Sequence, residues 1–99
     1  MRWVAEEKGK LIGFADYIPE KSQVTGVYVD PGHLRKGVGS KLLQKIIEDA
    51  ETKGLSELRC ESSVTALEFY QEHGFEVVEK TVHETNNVEL DAFEMKKTL

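Results

Sequence analysis

The stretch "VYVDPGHLRKGVGSKLLQKI" (Val27 to Ile46) constrains the fold of this chain more than any other. β-branched and aromatic residues give way through Asp30-Pro31-Gly32 to a basic, glycine-punctuated loop, which opens into a helical pattern. Val38, Leu42, Leu43, Ile46, Ile47 and Ala50 fall on one helix face, and Lys53-Gly54 supplies the stop. "SELRCES" (Ser56 to Ser62) then alternates Leu58 and Cys60 with charged residues, as a strand does. Strand, helix and strand in that order imply a parallel pair joined by a right-handed crossover.

Hairpins flank this centre. "RWVAEEKGKLIGFADY" (Arg2 to Tyr17) holds two strand-like segments around Glu7-Lys8-Gly9-Lys10, with Gly9 supplying the turn. "FEVVEKTVHE" and "VELDAFEMKK" flank Asn86-Asn87 in the same way. "VTGVYV" (Val24 to Val29) is a third strand, and Gly26 inside it suggests a bulge or a close backbone approach. Ser62 or Ser63 can N-cap a short helix, "VTALEFYQEH", which His73-Gly74 terminates. The expected order is β-β-β-α-β-α-β-β: an α+β fold with a mixed, mostly antiparallel sheet and a central β-α-β-α crossover, in one domain spanning residues 1–99.

Composition narrows the function classes. The chain has 99 residues, so it buries roughly 65% of its unfolded surface, which permits a lean core. No apolar run approaches the ~18 residues a membrane span needs, and no signal-peptide pattern is present, so a cytoplasmic protein is expected. The single Cys60 excludes an intrachain disulfide and a multi-cysteine metal site, and its apolar-alternating setting suits a buried, inert thiol. A net charge of −5 argues against a nucleic-acid surface. Against that acidic background His33, Arg35, Lys36, Lys41 and Lys45 gather in one stretch, which suits a small anionic ligand.

The loop by itself supports two readings. Helix-start N–H groups lack intrahelical partners, the macrodipole makes that end positive, and Gly37 and Gly39 admit a phosphate close to the backbone. The alternative is a tight strand-to-helix turn with solvated basic residues. Two nucleotide motifs fail on detail. Val38-Gly39 stands where a Walker loop needs Lys-Ser/Thr, and Leu42 stands where a dinucleotide fingerprint needs its third glycine.

A second motif decides between them. "VYVDP", "RKGVGSKLL" and then "ALEFYQEHGFEVV", in this order and at this separation, resemble the GNAT N-acetyltransferase superfamily from about Trp3 to Met95. The resemblance implies that Arg35, Lys36, Gly37, Val38, Gly39 and Ser40 wrap the pyrophosphate of acetyl-CoA, although Leu34 stands where the family carries Gln or Arg. It implies that a bulge near Gly26 splays the strand, so that Val27, Tyr28 and Val29 offer backbone groups to the pantetheine arm. Ser63 takes the place of a pantetheine-contacting Asn, and Tyr70 that of the acid which protonates the departing thiolate. No metal is implied. Gln23 and Thr25 lie where many relatives carry a basic Glu, so Asp16, another carboxylate or an ordered water is left for that role and no base is assigned.

Family domains open with a strand and two helices before the first hairpin, whereas this chain begins at that hairpin. The resemblance therefore implies an open acceptor-amine site and a bare sheet edge. From these follows the expectation of a homodimer whose partner closes part of the acceptor site. An amine acceptor and acetyl-CoA are the expected small-molecule partners. A CoA-binding module without catalysis is the alternative.

Overall fold

The computed structural model describes all 99 residues. Six strands and two α-helices follow the expected order: β1 (Arg2–Glu7), β2 (Lys10–Ile18), β3 (Gln23–Val29), α1 (Val38–Thr52), β4 (Glu57–Ser63), α2 (Leu67–Glu72), β5 (Glu76–Thr85) and β6 (Val88–Thr98). They form one mixed sheet in the spatial order β1-β2-β3-β4-β6-β5, in which only β3 and β4 run parallel. Both hairpins turn through paired left-handed residues, Lys8 and Gly9 (φ 52° and 78°) and Asn86 and Asn87 (φ 52° and 63°). That backbone twist matches the twist of the flanking strands. No helix is long and apolar enough to cross a membrane.

The stripe read from the sequence is the buried face of α1: Leu42, Leu43, Ile46, Ile47 and Ala50. It packs on β1, β2 and β3 and joins Ala15, Tyr17, Val24, Leu58, Cys60, Tyr70, Phe75 and Met95 in one core. Each fully buried Leu or Ile there contributes roughly 1.5–3 kcal/mol by area. Helix α2 is shorter than "VTALEFYQEH" suggested, beginning at Leu67. Residues 64–66 form a turn instead, in keeping with the poor helix propensity of β-branched Val64 and Thr65. Gly74 ends the helix with φ +87°, as expected of that glycine.

Because α1 and α2 share one core, both lie on the same face of the sheet. The opposite face carries Arg2, Val4, Phe14, Asp16 and Tyr28 on β1–β3, and Arg59, Glu61 and Glu94 on β4 and β6. Ion pairs lace it: Arg2–Asp16 at 2.7 Å, Arg59–Glu57 at 2.6 Å, Arg59–Glu94 at 2.9 Å and His83–Glu61 at 3.1 Å.

Candidate active site

The expected bulge is present. The β2–β3 register runs Asp16 to Gly26 and then Tyr17 to Val24, so Thr25 is the extra residue beside Gly26. A bulge bends its strand and disrupts pairing locally. Beyond it β3 leaves β4. The two pair only at Gln23 and Arg59, where the Arg59 N–H donates to Ser22 O at 2.7 Å. The gap opens toward the C-terminal end of β3, directly under the first turn of α1.

Backbone direction along β3 follows from the ladder with β2. Asp30 N–H donates to Ile12 O at 2.8 Å, which makes Ile12–Asp30 a hydrogen-bonded pair. Alternation then turns the Tyr28 N–H and C=O toward Phe14, and those of Val27 and Val29 away from β2, into the gap. Val27 and Val29 therefore turn free backbone groups into the gap. Tyr28 is not brought to the site. Its backbone faces β2, and its ring stacks on Phe14 (5.3 Å between centroids) on the opposite face of the sheet.

Two cavities meet in this gap. One, of about 310 Å³, is bounded by the loop and the start of α1 (His33, Leu34, Arg35, Gly37, Val38 and Ser40) and, across from them, by the Glu72 carboxylate of α2. The other, of about 260 Å³, runs past Val27, Ala66 and Tyr70. Val29, Leu34, Gly39 and Phe69 line both, so they form one cleft with a polar mouth and an apolar arm. The neck is narrow enough that a Cβ on Gly39 would stand 3.4 Å from both Phe69 Cε1 and Val29 Cγ2.

The mouth is built for an anion. The first α1 bond runs from Lys41 N–H to Gly37 O at 3.0 Å, leaving Val38, Gly39 and Ser40 N–H without intrahelical acceptors. No side chain caps them. Gly37 (φ 78°) and Arg35 (φ 63°) both adopt the left-handed conformation, and such backbone turns gather N–H groups into a concavity. The basic residues divide here. Arg35 lines the mouth, while Lys41 and Lys45 line a different groove, against β1. Lys36 lines neither.

His33 anchors the loop from below. Its Nδ1 lies 3.0 Å from Asp30 and its Nε2 2.7 Å from Glu7 on β1. Hydrogen bonding to Asp30 first, and then to Glu7, raises its pKa, so the ring is a charged brace between loop and hairpin.

At the far end of the arm Tyr70 is buried, edge-on to Phe69 and Phe75 at 5.3 and 5.4 Å. Burial, then proximity to Cys60, pushes the phenol up to about 12. Cys60, on the adjacent strand, is pushed to about 12 by burial alone, which makes it the inert thiol expected. Ser63 lies outside the cleft lining. Its Oγ accepts from Ala66 N–H at 3.1 Å and so holds the turn before α2. Asp16 is bound in two places by Arg2 (2.7 and 2.9 Å), and that hydrogen bonding holds its carboxyl below the usual range, which leaves a poor proton acceptor. Sequence reasoning missed Phe69, which lines both halves of the cleft beside Tyr70.

Comparison with known proteins agrees with this architecture. Similar proteins include the uncharacterized N-acetyltransferase YafP of Escherichia coli K12, 35% identical over 79% of this chain and 47% of that protein. The peptidyl-lysine N-acetyltransferase YiaC of the same organism is 34% identical over 78% of this chain and 51% of its own. The chain thus spans about half the length of these curated relatives. A crystal structure of a GCN5-related N-acetyltransferase from Rhodopseudomonas palustris superimposes on the whole chain and 61% of its own, with a TM-score of 0.92 and 25% identity. Residues 1–99 match the family model described as an acetyltransferase (GNAT) domain, and the chain belongs to the GNAT family.

Proposed function

We propose that the chain is a cytoplasmic N-acetyltransferase that moves an acetyl group from acetyl-CoA to an amine by direct attack. The observation that carries this reading is the continuity of the cleft, from an uncapped helix start at one end to a buried phenol at the other. The residues fit such a donor. The N–H groups of Gly37, Val38, Gly39 and Ser40, with the Arg35 guanidinium and the Lys36 charge nearby, suit a diphosphate. Val27 and Val29 N–H and C=O groups suit the amide-bearing arm, and the bare Gly39 leaves room at the neck. Acetyl-CoA, when bound, supplies an acetyl group activated as a thioester.

Tyr70 keeps its proton throughout the physiological range and holds it at Oη at the apolar end of the cleft. From there it donates to the sulfur that leaves as the amine is acylated. A phenol near 12 is a weak donor to a thiolate in water, whose conjugate thiol titrates near ~8.5. Inside the cleft the comparison changes, because the same burial that raises Tyr70 raises Cys60 beside it to about 12. Desolvation raises a thiolate's proton affinity in the same direction, which narrows the gap between donor and leaving sulfur.

The acceptor is proposed to be a lysine-type or N-terminal amine. YiaC acts on peptidyl-lysine, and another similar protein, 30% identical, is a ribosomal protein bS18 alanine N-acetyltransferase. A homodimer that closes part of the acceptor side belongs to the same reading, since the sheet face away from the helices is uncovered. A CoA-binding module without catalysis is the second reading, favoured by one observation: Asp16, the carboxylate on β2 considered for the base, is locked to Arg2. Titration calorimetry with acetyl-CoA, followed by thiol release across an amine panel, tests both. Micromolar binding with turnover supports the enzyme and binding without turnover the module. Absence of binding at millimolar acetyl-CoA refutes both.

A further inference from the structure

Helix α2 ends on a side chain, and through it the end of the helix reaches the neck of the cleft. His73 N–H donates to Tyr70 O at 3.1 Å, so the last turn tightens and Phe69 O lacks the N–H four residues on. The His73 ring takes that place, with Nδ1 2.9 Å from Phe69 O. A carbonyl only accepts, so Nδ1 carries the proton. The same imidazole packs on the Phe69 ring, 4.8 Å between centroids and tilted by 47°. From another side the Tyr70 ring meets Phe69 edge-on at 5.3 Å. His73 therefore grips Phe69 twice, at its carbonyl and at its ring.

Phe69 carries that grip into the cofactor path. A Cβ on Gly39 would stand 3.4 Å from Phe69 Cε1 and 3.5 Å from its Cζ, with Val29 Cγ2 at 3.4 Å. His73 lines neither half of the cleft. It stands behind Phe69, in a polar groove with Gln44, Glu51, Glu72 and Lys97.

We propose that His73 is a positioning residue for the acyl donor: by fixing Phe69 it sets the width of the neck that the donor's arm must pass. This role rests on the proposed acetyl-CoA donor. Coenzyme A joins its diphosphate to the arm through a carbon bearing two methyl groups, a bulky apolar point next to the polar end. An aromatic ring held against Val29 and a bare Gly39 suits that segment. A Phe69 ring released from His73 must instead be ordered when the donor binds, which costs affinity. Tyr70 keeps its edge contact with Phe75, so the loss falls on donor binding and not on the chemical step.

Titration calorimetry with two ligands separates the neck from the rest of the cleft. ADP carries a diphosphate without the arm and reaches the mouth alone, whereas acetyl-CoA passes the neck. His73→Ala should weaken acetyl-CoA about tenfold and leave ADP within about twofold. In turnover the acetyl-CoA KM should rise by a similar factor with kcat within about threefold. A merely destabilised protein loses active fraction, and with it kcat, at unchanged KM. His73→Asn keeps an N–H donor at the position of Nδ1 and should bind acetyl-CoA at least about threefold more tightly than His73→Ala. In a Phe69→Leu background His73→Ala should change affinity by less than about twofold, because no ring is left to hold. Far-ultraviolet circular dichroism and thermal unfolding of each variant report the fold. Equal losses for ADP and acetyl-CoA, an acetyl-CoA affinity untouched by His73→Ala, or an undiminished effect without Phe69 would each overturn the positioning role and leave the acetyl-CoA reading standing. A parent protein that binds no acetyl-CoA at millimolar concentration overturns both.

Discussion

Replacing Tyr70 by Phe separates chemistry from folding at this site. The ring packs edge-on between Phe69 and Phe75, and phenylalanine keeps that packing. The hydroxyl is held by no hydrogen bond of the protein, its raised pKa arising from burial and Cys60 alone, so its removal orphans no partner. Stability should therefore change by less than about 1 kcal/mol, because the large cost in such deletions comes from the partner left unpaired. Acetyl-CoA affinity should be unchanged too, since the loop and the β3 backbone are untouched. The rate should not be spared. A positioned acid contributes about 10²–10⁴-fold, or about 2.7–5.4 kcal/mol of barrier, so kcat should fall by at least about a hundredfold. The assay is thiol release at saturating acetyl-CoA and amine, with thermal unfolding and calorimetry run on the same preparation. The pH profile adds a second constraint. With Tyr70 near 12, kcat should climb as the amine loses its proton and then stay level to about pH 10. A Tyr70→Phe rate within about twofold of the parent would refute the acid role, because a lost transition-state interaction must appear in kcat. An alkaline fall centred near pH 8 to 9 that disappears in Tyr70→Phe would contradict the raised pKa of Tyr70.

Three further outcomes follow from the loop. Gly37→Val forces a β-branched residue into a left-handed conformation at about 1–2 kcal/mol, so acetyl-CoA affinity measured by calorimetry should fall about tenfold or more. Arg35→Gly keeps the φ of +63° without strain, so stability should stay within about 1 kcal/mol in urea unfolding. Its acetyl-CoA affinity should nevertheless drop and become less sensitive to salt, because a charge at the mouth is gone. His33 gives a pH signature: its folded pKa is raised, so its stabilising contribution is complete below its unfolded value near 6.5 and fades as pH climbs through the raised value. Asp30 acts in the opposite sense, its lowered pKa contributing above the usual carboxylate range and fading in acid. Urea midpoints of the parent should thus decline between mildly acidic and mildly alkaline solution, and His33→Gln should flatten that decline. An identical slope in both proteins would remove His33 as the brace.

Periodicity and turn chemistry were legible because they are local. The α1 stripe, both left-handed hairpin turns, the terminating Gly74 and the bulge beside Gly26 all follow from a residue's own conformational preferences and those of near neighbours. The start of α2 was less legible, since Ser63 offers a cap at a position where Val64 and Thr65 resist a helix, and the turn won. The basic cluster misled in a different way. Arg35 and Lys41 are six positions apart, yet one lines the mouth of the cleft and the other the β1 groove, because α1 begins between them and rotates every later side chain away. Charge density along a sequence says nothing of that rotation until the first helical residue is known.

The placement of Tyr28 required still longer-range information, and it explains how the site exists at all. On a strand, backbone groups alternate between neighbours just as side chains alternate between faces, so which of Val27, Tyr28 and Val29 faces the gap depends on register with β2. That register is set across the Thr25 bulge, by the Ile12–Asp30 bond on one side and the Tyr17–Val24 pair on the other. The extra residue lets β3 leave β4, and the Asp16–Gly26 register beyond it fixes which free groups the departure exposes. Removing that residue should undo the departure but not the choice of groups. Deleting Thr25 joins Val24 to Gly26 and keeps the Asp16–Gly26 register, so Val27 and Val29 would still face β4, while the β3–β4 pairing would extend past Gln23 and Arg59 and close the gap. Amide hydrogen exchange reads this directly. In the parent, Val27 and Val29 amides should exchange fast and become protected by acetyl-CoA, whereas the Tyr28 amide, bonded to β2, should be slow throughout. Fast exchange at Tyr28 with slow exchange at Val27 and Val29 would mean that the register, and with it the whole arm of the cleft, is assigned to the wrong side of the strand.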